Sequence, residues 1–453
     1  MTSSSFYFFL LISLCSFSFG LATTCLDDQK ELLLALKNNL AFDASLSTKL
    51  VGWNQSVQCC DWGGVTCDET GHVTRLDLSH EAIHGAIPSS QNNWKGLSSL
   101  WYLSMAYNSL TGSLPRSLLT SLPSLEDLDL SYNKLFGQVP DHDVSSYRLR
   151  NLDLTNNNFV GEIPSFVFNL SNLSTLALSA NKFTGRVDLH KFGKLHELYS
   201  LELSYNNLTV NAANADFSLL SQLNSIMLAS CKMQAIPDLK NQSRLMMIDF
   251  SNNELSGEIP NWIWEVGNGY LRFMNLSHNK FTRLEKPYTF PFLLDVLDLH
   301  SNNLQGDIPI PPRRVYILDY SDNNFKSTIP VTFGNVLRST LFFSISNNNL
   351  VGVIPESIRN ASSLRVLNLS RNKLTGPIPL IGNMKDLQSL DLSVNMLDGS
   401  IPQELTNLTQ LSFLNVSYNH LSGRIPRFEQ GFSELSFEGN EGLCGPPLKK
   451  RCP

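Results

Sequence analysis

One sixteen-residue phrase, written over and over, constrains this chain more than anything else in it. LEDLDLSYNKLFGQVP at 125–140 returns as LRNLDLTNNNFVGEIP at 149–164, as LRVLNLSRNKLTGPIP at 364–379 and as LSFLNVSYNHLSGRIP at 411–426. The shared pattern is L-x-x-L-x-L-x-x-N-x-L-x-G-x-I-P, with periods mostly of 23 to 25 residues. A unit this short cannot bury its own apolar face, so copies must stack. Stacking also accommodates 453 residues, whereas a single hydrophobic core stops growing at roughly 250–300.

The pattern is the leucine-rich-repeat signature of a short strand and a return segment, and it predicts an α/β solenoid. Its asparagine falls at Asn108, Asn133, Asn157, Asn181, Asn206, Asn253, Asn279, Asn302, Asn323, Asn348, Asn372, Asn395 and Asn419, with Glu81 in a divergent first turn and Cys231 in the seventh. That makes about fifteen turns. Leu128, Leu130 and Leu135 are expected to point inward, with Asp127, Asp129 and Ser131 facing out. The asparagine carries donors and an acceptor, so it suits backbone groups buried between turns. Cys231 replaces only the donor half and reads as a buried free thiol. The G-x-I-P segment, as at Gly257–Pro260, favours a second, irregular strand over convex helices.

Both ends look different from the middle. Residues 1–22 contain an apolar run from Phe6 to Leu14 followed by small residues, the outline of a secretory signal peptide. Export turns attention to disulfides. CLDDQKELLLALKNNL at 25–40 reads as a capping helix, with Asp27 or Asp28 as its N-cap and Leu32, Leu33, Leu36 and Leu40 on its apolar face. Trp53 and Trp62 supply bulky cover for the first repeat. Cys25, Cys59, Cys60 and Cys67 are best read as two bridges, Cys25–Cys59 and Cys60–Cys67, although four cysteines allow three connectivities. Zinc is the weaker reading, because no histidine stands nearby in ligand spacing. Cys444 and Cys452 form a matching clasp at the far end. The resulting divisions are a leader at 1–22, an N-terminal cap at 23–72, repeats at 73–426 and a C-terminal cap at 427–453.

A formal net charge of −6 and the lack of a basic patch before Lys449, Lys450 and Arg451 argue against nucleic acid. No catalytic triad, metal quartet or phosphate loop stands out, and the nine histidines are scattered. The chain therefore reads as a non-enzymatic binder that needs no cofactor.

Its candidate recognition surface is the concave sheet. The residue between the two strand leucines projects there, giving Asp77, Ser104, Asp129, Asp153, Ala177, Glu202, Met227, Asp249, Asn275, Asp298, Asp319, Ser344, Asn368, Asp391 and Asn415. Eight of these fifteen are acidic, either as ordinary repeat filler or as a lane for a basic ligand patch. Aromatic residues anchor interfaces, which selects Tyr102, Tyr107, Tyr132 and Tyr205 with Asp129, Asp153 and Glu202 as candidate ligand contacts; Phe273, Phe342, Phe413 and Tyr418 share the exposed strand register. Ten N-x-S/T sites occur, at Asn54, Asn169, Asn172, Asn207, Asn241, Asn275, Asn360, Asn368, Asn407 and Asn415. Asn275, Asn368 and Asn415 would aim glycans into the concave face.

WNQSVQCCDWGGVTCDETGHVTRLDLS at 53–79 and LSFEGNEGLCGPPLKKRC at 435–452, together with the G-x-I-P repeat, resemble the extracellular part of plant leucine-rich-repeat receptor-like proteins. The Verticillium wilt resistance receptor-like proteins are the group most similar in these features. The resemblance implies an extracellular plant-type superhelix with disulfide-bonded caps that perceives a microbial or plant protein or peptide in immune signalling. It implies leucine-rich-repeat receptor kinases as adaptor and co-receptor partners, with Phe413 and Tyr418 as candidate co-receptor contacts. The family's polygalacturonase-inhibiting members make inhibition of a secreted microbial wall hydrolase the alternative, and a developmental peptide or cell-wall binder a third. The expected location is the apoplast, or the cell membrane for a receptor ectodomain shortened at Pro453.

Overall fold

The computed structural model describes residues 24–141, 148–213 and 223–452; the leader read at 1–22 lies outside these. Short strands form one 16-stranded sheet. Its first strand, Val65–Cys67, runs antiparallel to Val73–Asp77. From Val73–Asp77 onward the fifteen strands are parallel and follow chain order to Phe413–Asn415. The strands are mostly three residues long, as in Asp127–Asp129, because the leucines on either side of the exposed residue already fill the interior. Leu128, Leu130 and Leu135 are buried, and almost all buried apolar side chains of the described residues form one continuous core.

The return segments make the second, broken sheet expected of G-x-I-P, as where Asn158–Gly161 pairs with Phe136–Gly137 and Lys182–Asp188. Gly161 sits there at φ 83°, a left-handed backbone that glycine adopts without steric cost. On the convex side are short 3-10 turns such as Ser165–Asn169 and Gln403–Asn407. Regular helix is confined, among the described residues, to α1 (Asp27–Asn39), α2 (Arg116–Ser121) and α3 (Phe333–Val336).

The asparagines act between turns. Asn133 Oδ1 accepts from the Leu110 amide of the preceding turn at 2.9 Å, while Nδ2 donates back to Met105 O at 2.9 Å and to Leu130 O and Ser131 O of its own turn. The same set recurs at Asn302 and Asn419. It recurs once more inside the C-terminal cap, where Asn440 accepts from Leu421 and donates to Val416 O, a rung that the sequence reading passed over. Cys231 keeps only weak donor contacts from Sγ, to Ala229 O at 3.5 Å and Leu203 O at 3.6 Å.

Several expectations need correction. Ser131 does not face outward: it is 3% exposed, and its hydroxyl and amide both donate to Asp129 Oδ1, at 2.6 and 3.0 Å. The backbone turns immediately after the strand, and this side-chain-closed turn carries the serine inward. Asp27 and Asp28 are not the N-cap of α1. Leu26 occupies that position without a side-chain cap, because its amide donates to Gly71 O and its neighbour Cys25 is tied to Cys59. The two aspartates sit in the first turn instead, where negative charge complements the helix dipole. From that helix, buried Gln29 joins the cap to the sheet: Oε1 accepts from the Val73 amide and Nε2 donates to Gly96 O.

The cysteines are bridged as Cys25–Cys59, Cys60–Cys67 and Cys444–Cys452, with Cα separations of 5.5, 5.5 and 5.0 Å. Trp53 and Trp62 stack beneath the first turn with ring centroids 5.1 Å apart. Glu81 serves as the cap's anchor. Its carboxylate, fully buried, accepts from the Ser47 and Thr48 hydroxyls and from the Thr48, Lys49 and Leu50 amides. No turn precedes it, so an acceptor for the cap loop replaces the asparagine. Burial alone would raise its carboxyl, but the Ser47 hydroxyl and the Lys49, Leu50 and Thr48 donors together hold it below the usual glutamate value.

Glu81→Ala is expected to remove about 3 kcal/mol or more of cap stability by leaving several buried donors unpaired. Hydrogen-exchange protection should fall at residues 48–50 and stay unchanged in the last turns. Because the folded pKa is depressed, the wild-type contribution is present above the ordinary glutamate range and is lost as pH falls through the folded value. Cap protection factors, corrected for intrinsic exchange, should therefore decline on acidification. A second expectation concerns Cys231, whose thiol burial, reinforced by the Asp249 carboxylate, pushes up to about 12. Iodoacetamide at pH 8 should leave it unmodified in the native chain and alkylate it fully in denaturant, as followed by peptide mass spectrometry.

Candidate functional site

The exposed column down the concave sheet owes its composition to backbone chemistry. In Asp77, Asp129, Asp319 and Asp391, one carboxylate oxygen accepts both the amide and the hydroxyl of the serine two residues on, and Asp249 Oδ1 accepts the Ser251 amide. Asn275, Asn368 and Asn415 make the same pair of contacts through Oδ1 to Ser277, Ser370 and Ser417. Aspartate and asparagine are thus geometric equivalents here, and only the first adds charge. Ser104, Ala177 and Ser344 are buried in the column, so their larger neighbours dominate its surface.

That surface is a broken lane of carboxylates. Asp129 and Asp153, and Asp298 and Asp319, stand on adjacent strands roughly 4.8 Å apart, and the others are separated by one or two uncharged residues. Burial first, and then the charges of neighbouring carboxylates, raise Asp153, Asp249 and Asp319 above the usual carboxylate value despite their hydrogen bonds.

Beside this lane runs a second column. The residue preceding each ladder position has a left-handed backbone with φ near 50–60°, at His80, Tyr107, Tyr132, Asn156, Ala180, Tyr205, Ser230, Asn252, His278, Ser301, Asp322, Asn347, Arg371, Val394 and Tyr418. Tyr107, Tyr132, Tyr205 and Tyr418 therefore lie just past the strand, not on it as the sequence reading placed them. Tyr107 and Tyr132 stack at 4.3 Å between centroids, and His80 continues the stack at 4.6 Å. Their faces cover one another, which leaves ring edges and hydroxyls to a partner. Tyr205 is the most exposed of the four at 57%.

The remaining aromatic candidates are already engaged to different degrees. Tyr102 lies under the Arg75 guanidinium, 3.5 Å from its ring centre, with Trp101 at its edge. Tyr418 donates from its hydroxyl to Glu438 Oε1 at 2.8 Å, which ties it to the C-terminal cap, while Phe413 on the adjoining strand is exposed. Phe273 and Phe342 are half-buried. Asp153 and Glu202 lie on neighbouring sides of Ala177 in the lane. Of the sequon asparagines, Asn54, Asn169, Asn172, Asn207, Asn241 and Asn407 are exposed, and Asn275, Asn360, Asn368 and Asn415 are half-buried.

The structure also brings together two histidines that looked unrelated. His300 takes the place of the turn serine: its amide and Nδ1 both face Asp298 Oδ1, at 3.0 and 2.6 Å. Its Nε2 lies 2.9 Å from Nε2 of His278, with the rings 80° apart. The Asp298 carboxylate raises the His300 imidazole above its ordinary value, against the opposing effect of burial. The signal was present in the sequence as one repeat of spacing, but His278 stands one place before Asn279 and His300 two before Asn302.

Residues 26–68 match the leucine rich repeat N-terminal domain family, and 147–208, 124–142, 244–266, 340–361, 363–384 and 386–408 match leucine rich repeat families. Receptor-like protein 6 of Arabidopsis thaliana is 35% identical over 222 residues, covering 45% of this chain and 21% of the relative. Receptor like protein 27 of the same plant is 36% identical over 401 residues, covering 72% of this chain and 48% of the relative. The chain thus spans less than half the length of these curated relatives. Among solved structures, the plant peptide hormone receptor RGFR1 in complex with RGF2 superposes with a TM-score of 0.64 at 29% identity, covering 80% of this chain and 61% of that one. A TDR receptor gives 0.55 at 26% identity, covering 79% and 74%. No helix among the described residues is long and apolar enough to cross a membrane. Cap, repeat and solenoid agree, and this chain is a leucine-rich-repeat solenoid similar to the ectodomains of plant receptor-like proteins.

Proposed function

We propose that this protein recognises an extracellular protein or peptide in immune signalling, acting with leucine-rich-repeat receptor kinases. The observation that carries the reading is the pairing of two columns on the N-terminal half of the concave side. Carboxylates at Asp129, Asp153 and Glu202 run beside the ring edges of Tyr107, Tyr132 and Tyr205. A basic, aromatic-tolerant segment laid across the turns would meet charge and hydrogen-bonding hydroxyls together. The likeness to the plant peptide hormone receptor RGFR1 in complex with RGF2 supports a peptide as the class of ligand. Exposed Phe413, next to the cap-bound Tyr418, is the proposed co-receptor contact. The two cap segments carry the finer proposal of kinship with the Verticillium wilt resistance receptor-like proteins. The location that follows is the apoplastic side of the cell surface.

Glycans divide the surface. A sugar on Nδ2 of Asn275, Asn368 or Asn415 leaves Oδ1 free to hold its serine, so occupancy is compatible with the fold. Such glycans would exclude a ligand from the C-terminal half of the lane and leave contact before Asn275 or along a lateral edge. Intact-glycopeptide mass spectrometry is expected to find sugar on at least one of the three; bare asparagine at all of them removes the basis for this division.

The binding reading is tested by incubating the purified chain in plant extracellular fluid with and without microbial secretions. Recovery of receptor-kinase ectodomains with a microbial protein is the expected result. Loss of pectinase activity on adding the chain, without such recovery, would favour a hydrolase inhibitor instead. A triple variant, Asp129→Ser, Asp153→Ala and Glu202→Gln, takes its first two replacements from residue types already in this column, at Ser104, Ser344 and Ala177, and creates no new N-x-S/T site. It should fold normally yet weaken capture about tenfold or more at low salt, with the difference shrinking as ionic strength rises.

A further inference from the structure

We propose that His278 and His300 form a binding site for a divalent transition cation of the zinc and copper class, with Asp298 as its positioning residue. The arrangement has the parts that such a site needs. His300 is held by its Nδ1 against Asp298 Oδ1 at 2.6 Å, and that carboxylate also accepts the His300 amide. A carboxylate on Nδ1 keeps the proton there and leaves the lone pair on Nε2, which is how metal-binding imidazoles are commonly oriented. That Nε2 faces a second imidazole nitrogen, His278 Nε2, at 2.9 Å.

Without a cation, the contact requires His278 to donate its Nε2 proton to His300. With one, His278 carries its proton on Nδ1 instead and both Nε2 lone pairs turn to the metal. Two imidazole nitrogens on a tetrahedral zinc at about 2.0–2.1 Å stand roughly 3.3–3.4 Å apart, so the pair must open by only about half an ångström. His278 is free to supply that movement. Its ring is exposed, and its backbone is fixed independently by the hydrogen bond its amide donates to His300 O at 2.9 Å.

The surroundings favour a cation. Carboxylate oxygens of Asp298 and Asp319 both lie within 4.8 Å of a His300 ring nitrogen, and Asp322 adds a third negative charge to the field of that ring. Imidazole nitrogens suit zinc, copper and nickel better than calcium or magnesium. Two nitrogens leave further coordination positions open to water or to an acidic or imidazole side chain of a bound protein.

The other turns supply variants that should fold. Serine occupies the His300 position in Ser131, Ser277 and Ser417, serine also takes the His278 position at Ser230 and Ser301, and asparagine takes the Asp298 position at Asn275 and Asn415. His300→Ser, His278→Ser and Asp298→Asn therefore restore residues that this architecture already uses. Tag-free protein is titrated with zinc chloride by calorimetry and with cupric ion by electron paramagnetic resonance. The expected result is one equivalent bound per chain, with two-nitrogen hyperfine structure for copper. Either histidine variant should weaken binding at least about tenfold, and Asp298→Asn about 10- to 100-fold, with unchanged metal-free melting temperatures. The affinity loss in Asp298→Asn should grow as pH rises, because Asp298 strengthens proton competition at the wild-type imidazole and that competition falls away at higher pH. Absence of stoichiometric binding, or binding undiminished in the His278→Ser and His300→Ser double variant, would overturn the proposal.

Discussion

The asparagine carboxamide between successive turns is the interaction on which the rest of this molecule depends. A strand of three residues followed by a left-handed one leaves amides and carbonyls inside the coil with no regular partner. One side chain resolves this by accepting an amide from the turn before and donating to carbonyls of both turns, as Asn133 does. Its two N–H groups meet three carbonyls, so one is shared. The left-handed residue beside it costs on the order of 1–2 kcal/mol, an amount that the several buried hydrogen bonds of the carboxamide can offset. That strain also sets the surface, since it swings the preceding side chain out of the sheet and aligns Tyr107, Tyr132 and Tyr205 in one file.

The ends obey the same requirement by other means. At the N-terminal end there is no earlier turn to serve, and Glu81 spends its carboxylate on the cap loop while its own amide is held by Asn108. At the C-terminal end Asn440 carries the ladder one rung beyond the last strand of the parallel sheet, into the clasp closed by Cys444 and Cys452. The caps are thus chemically continuous with the array.

How much of this could be read from the sequence follows from which contacts are periodic. Strand leucines and ladder asparagines announce themselves because each repeats at a nearly fixed interval. The cysteines instead pair across separations of 34, 7 and 8 residues, and the choice among connectivities in the N-terminal cap needed the fold. The inward serine was misread because strand alternation was carried one residue too far, into a turn that Asp129 closes on Ser131. Asp27 and Asp28 were misread because helix propensity alone cannot see that Leu26 is tied to Gly71. The His278–His300 contact was invisible for a further reason. Its partners occupy different places in adjacent repeats, and only the stacked coils bring them face to face.

The equivalence of aspartate and asparagine on the concave strands has a consequence for how such a surface can change. In L-D-L-S the serine that closes the turn stands two residues after the aspartate, so replacing that aspartate with asparagine creates N-L-S, an acceptor for N-linked sugar. Asn275 and Asn368 already have this form, and their turns are closed in the same way. A lineage can therefore exchange a negative post for a carbohydrate one with a single substitution, redrawing which molecules fit without disturbing the coil beneath.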